Sequence, residues 1–121
     1  MIFALSADDR TLMVFPDEDA AISYCEGFDV AQAGWLFFAA DGGALEPVFS
    51  EPASEPWVII SHGRYSLRPA PSKSRANLSA VLPSVAAVEG VAAVRTIVDV
   101  ERLITLVRTD AHEAAHRSTR R

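Results

Sequence analysis

The chain has 121 residues, half of them apolar and 22% charged, with a formal net charge of −5. That profile fits one globular domain over residues 1–121 with a single core, and it excludes a disordered chain. The longest apolar run, Gly34–Ala40, falls far short of the ~20 residues that a membrane span needs.

Met1–Arg10 carries no basic n-region and meets Asp8 and Asp9 early, so no signal peptide is expected. The lone Cys25 excludes an internal disulfide and a thiolate metal cluster. The expected compartment is the cytosol.

Charge is unevenly spread. Residues 1–60 hold eleven acids and only Arg10 as a base, a formal −10; residues 61–121 hold ten bases and five acids, a formal +5. Two such halves neutralise each other in part when they fold together. The sharper alternative is an acidic face that steers a basic partner. Such a face repels phosphate and is no nucleic-acid surface.

In chain order, Ile2–Leu5 and Thr11–Phe15 read as two strands joined by the polar turn Ser6–Arg10. Asp17 is a natural N-cap for a helix that ends at Gly27, with Glu18 and Asp19 suiting its dipole. Ala21, Tyr24 and Cys25 recur at i, i+3, i+4 and are predicted to face inward, Tyr24 largely buried. Cys25 reads as a small core residue, because nothing nearby lowers its pKa. Trp35–Ala40 and Ala44–Phe49 form a hairpin about Asp41-Gly42-Gly43. The loop 50–56 carries two prolines. Trp57–Ser61 and Tyr65–Arg68 complete a meander of about four strands around His62-Gly63-Arg64, and residues 69–75 lead out of the sheet.

The remainder is predicted helical. Leu78, Val81, Leu82 and Val85 follow the helical period with Pro83 splitting the stretch, and Gly90 closes it. Asp99 is the expected N-cap of a last helix with Val100, Leu103, Ile104 and Val107 as its apolar stripe. Residues 112–121 are expected to fray. Strands first and helices after predict an α+β domain, an antiparallel sheet with helices packed on one face.

The loudest motif is His112-Glu113-Ala114-Ala115-His116, a literal match to the H-E-x-x-H of zinc hydrolases. Histidines at i and i+4 share a helix face, and the glutamate can activate a metal-bound water. A catalytic zinc also needs a third protein ligand, and none of Arg117–Arg121 can supply one. The match is read as coincidence, with no metal and no cofactor expected.

His62 is read as a turn residue, since adjacent Ser61 and His62 on a strand point to opposite faces. No phosphate-binding glycine pattern is present. Trp35, Phe37 and Phe38 lack the interleaved Lys and Arg of a single-strand binder. No catalytic residue is assigned, and the chain is not expected to be an enzyme.

The stretches Ala20–Val30, Trp35–Phe38, Asp41-Gly42, Leu45–Phe49 and Gly63–Pro69 resemble small bacterial immunity proteins encoded beside polymorphic toxins, in contact-dependent growth inhibition and Rhs-type systems. The resemblance covers residues 18–69 and rests on scaffold segments, so it carries over no site residue. It implies a cytosolic protein that binds one cognate toxin domain as a 1:1 heterodimer without catalysis. Many such toxins are nucleases with basic active-site surfaces. A −10 half suits that target and raises the association rate. The acids flanking the predicted helix and hairpin, Asp17, Glu18, Asp19, Glu26, Asp29, Asp41 and Glu46, are the candidate toxin-binding residues. The alternative is a small acidic secretion chaperone that holds an effector segment.

Overall fold

A computed structural model describes residues 1–25, 30, 34–49, 65–71 and 76–119, with side chains as far as Asp110. Among these, β1 (Ile2–Ser6), β2 (Thr11–Phe15), β3 (Trp35–Ala39), β4 (Ala44–Phe49), β5 (Tyr65–Pro69) and β6 (Ala87–Glu89) form one sheet in the order β5-β4-β3-β1-β2-β6. The helices whose bounds lie among the described residues are α1 (Glu18–Tyr24), α2 (Leu78–Val81) and α3 (Ile97–Thr119), with a 3₁₀ turn at Leu82–Ser84. Every pairing is antiparallel except β2 with β6. The α+β class, the antiparallel sheet, the N-terminal hairpin and the β3–β4 hairpin are as the sequence predicts. The predicted strand 57–61 and His62 lie outside the described residues.

Central β1 organises the core. Phe3, Ala4 and Leu5 are all fully buried, so both faces of the strand must be covered. One face carries Phe3, Leu5, Leu12, Val14 and Phe38, packed against Leu78, Leu82, Val100 and Ile104 of the C-terminal half. The other carries Ala4, Phe15, Phe37, Leu45 and Tyr65, packed against Ala21 and Cys25. Helices therefore cover both faces, not one. The continuous apolar runs of β1 and β3 require this, because alternate residues of a strand point oppositely.

The sheet curls around α1. That helix contacts β1 and β2 and also β5, although three strands separate β2 from β5 in the sheet. Pro47 sits within β4, beyond the last β3 partner at Leu45, where a missing N–H costs no ladder bond.

Three local readings are corrected. Tyr24 is 57% exposed, not buried. Ala21 and Cys25 fill the inward face of the two-turn helix, and the Tyr24 ring lies at its margin against Phe15 and Trp35, 5.5 and 6.0 Å away between centroids. Residues 87–89 are a strand, not helix. Pro83 ends the helical run, Ala86 donates its N–H to the Arg10 carbonyl at 2.8 Å, and the Arg10 guanidinium holds the Ser84 hydroxyl. Gly90 then turns the chain away at φ +125°, open only to glycine here.

Asp99 is the third residue of α3 and not its cap. Thr96 accepts the Asp99 N–H at 3.1 Å, and the Asp99 carboxylate accepts the N–H groups of Arg95 and Thr96 at 3.0 and 3.1 Å. This reciprocal capping box fixes the helix start. The Arg95 N–H foremost, with Thr96, holds the Asp99 carboxyl below its ordinary range.

Candidate functional site

The register brings part of the acidic set to one end of the sheet. Ile2 is flanked by Phe15 on one side and Ala39 on the other. Asp17 lies two residues beyond Phe15, and Asp41 two beyond Ala39. Asp17, Asp19 and Asp41 are exposed there.

Most of these acids also serve the fold. Asp17 caps α1, its carboxylate accepting the Ala20 N–H at 2.8 Å. Asp41 accepts the Gly43 N–H at 2.8 Å, the Asx turn of the β3–β4 hairpin, where Gly42 takes φ +87°. The Asp41 carbonyl accepts from the Arg108 guanidinium at 2.9 Å, which ties the hairpin to α3. Asp19 accepts no hydrogen bond among the described residues.

Two of the predicted contact residues are engaged inside the fold. Half-buried Glu18 accepts the backbone N–H of Leu67, on β5, the end strand among the described residues, at 2.6 Å. Glu46 pairs with Arg68 at 2.6 Å. Leu45 faces the α1 side of the sheet, so neighbouring Glu46 belongs to the opposite face, away from Asp17 and Asp19. Glu26 and Asp29 lie outside the described residues. The seven acids thus form no single patch: Asp17 and Asp19 belong to α1, Asp41 stands at the same end of the sheet but beside α3 on the other face, Glu18 is engaged by β5, and Glu46 is ion-paired across two strands. Neither role of Glu18 or Glu46 is visible in sequence spacing, because both partners are over twenty residues away.

The opposite end of the sheet carries Asp8 and Asp9, both exposed. The Thr11 N–H, at 3.0 Å, is the main cause holding the Asp9 carboxyl below its ordinary value, with the Ser6 hydroxyl second. Arg10, the base of this half, is spent on Ser84.

Elsewhere, an open groove of about 390 Å³ runs beside β6, between Val88, Glu89, Val91, Ala92 and Arg95. It gathers no acid–base pair and no nucleophile. Cys25 is fully buried beneath α1, and Tyr65 donates its hydroxyl to the Cys25 carbonyl at 2.6 Å. Burial first, and the Cys25 sulfur second, push the Tyr65 phenol well above its ordinary pKa.

His112, Glu113 and His116 lie on the last turns of α3, with their side chains outside the described residues. Among the described residues, no group of three or more His, Cys, Asp or Glu could hold a metal ion. No helix there is long and apolar enough to cross a membrane. Comparison with family models, with curated proteins and with solved structures returns no match to this chain.

Proposed function

We propose that this chain is an immunity protein, which binds one cognate toxin domain in the cytosol and neutralises it without catalysis. The observation that carries the reading is that exposed Asp17, Asp19 and Asp41 all stand at one end of the sheet. The resemblance of residues 18–69 to toxin-immunity proteins supports it. Exposed carboxylates on fixed elements meet a basic partner with little ordering cost, and they accelerate encounter with a phosphate-binding surface such as a nuclease active site. Asp17, Asp19 and Asp41 are the contact residues in this reading. Glu18 and Glu46 drop out, because the fold uses their carboxylates.

The test is co-expression with the toxin domain of the adjacent gene. Growth restored by this chain, with a 1:1 complex recovered on purification, supports the proposal. Unrestored growth and no complex overturn it.

A further inference from the structure

We draw no further inference here: the strongest candidate, the exposed face of α3 that carries Val98 and Leu106, is an apolar helix face for which nothing among the described residues shows what covers it.

Discussion

The Tyr65 hydroxyl donates a 2.6 Å hydrogen bond to the Cys25 carbonyl, fastening β5 to the end of α1. The phenol is buried, and burial raises its pKa above the ordinary value of about 10. Between the unfolded and the folded pKa, the native state keeps a proton that the unfolded chain has lost. Stability is therefore full below about pH 10 and falls as pH rises beyond it, by about 1.4 kcal/mol per pH unit for one proton. Denaturant titrations between pH 8 and 11 should show that slope in wild type. Tyr65→Phe should cost about 1–2 kcal/mol at neutral pH from the lost hydrogen bond, and should flatten the alkaline limb. Equal alkaline slopes in the two proteins would count against a buried, hydrogen-bonded phenol.

Gly90 is the strictest backbone position among the described residues. Its φ is +125°, and a Cβ built there runs into the Val14 carbonyl oxygen and sits 2.9 Å from the Val14 nitrogen. Gly90→Ala combines backbone strain with a clash against a central hairpin strand, so it should cost about 3 kcal/mol or more. The loss should appear in denaturant unfolding, with the Val14 and Val88 amides among those that lose exchange protection. A change under about 1 kcal/mol would mean that β6 is not docked on β2.

Phe37 and Tyr24 should separate sharply on truncation. Phe37 is fully buried between α1 and the sheet, and Phe37→Ala should cost about 3–5 kcal/mol through the cavity it leaves. Tyr24, mostly exposed, loses only its packing on Phe15 and Trp35, so Tyr24→Ala should cost about 1 kcal/mol or less. Chemical denaturation of both variants checks the ranking, and a reversed order would place α1 the other way round.

These three sites mark how far the sequence can be read. Alternating and continuous apolar runs, with Asp41-Gly42-Gly43 between two of them, suffice to place β1 to β4 and the antiparallel sheet. Leu78–Val85 also matches the helical period, and nothing local shows that the chain afterwards returns to pair with β2. That pairing depends on Arg10, 74 residues from Ser84. Thr96 and Asp99 illustrate a smaller error. Both are cap-forming residues three apart, and the box uses both, with Thr96 at the start. Tyr24 fails for a different reason: in a seven-residue helix the i, i+4 pair defines the buried face, and i+3 falls at its rim. Of the acids, Asp17 and Asp41 were legible from their positions beside turns. Glu18 and Glu46 were not, because their partners on β5 meet them only through tertiary pairing.

The acidic end gives the prediction on which the proposed function turns. Replacing Asp17 by lysine would remove a helix cap together with a charge, so fold and surface would be confounded. Asn keeps the capping oxygen at 17 and the Asx turn at 41 while removing both charges, and exposed Asp19 tolerates reversal to lysine. The triple variant Asp17→Asn, Asp19→Lys, Asp41→Asn should therefore keep the wild-type fold, with about 1–2 kcal/mol lost because its charges no longer favour the α1 dipole. Against the cognate toxin domain that the proposal requires, its association rate should fall by about tenfold or more at low salt, and its salt dependence should shrink. Asp8→Asn with Asp9→Asn, at the opposite end of the sheet, serves as the control and should associate within about twofold of wild type. Stopped-flow mixing at two ionic strengths reads all three proteins. Loss of rate in the triple variant alone assigns the interface to the Asp17–Asp41 end. Equal rates in all three would sink the electrostatic part of the proposal, even where the complex still forms.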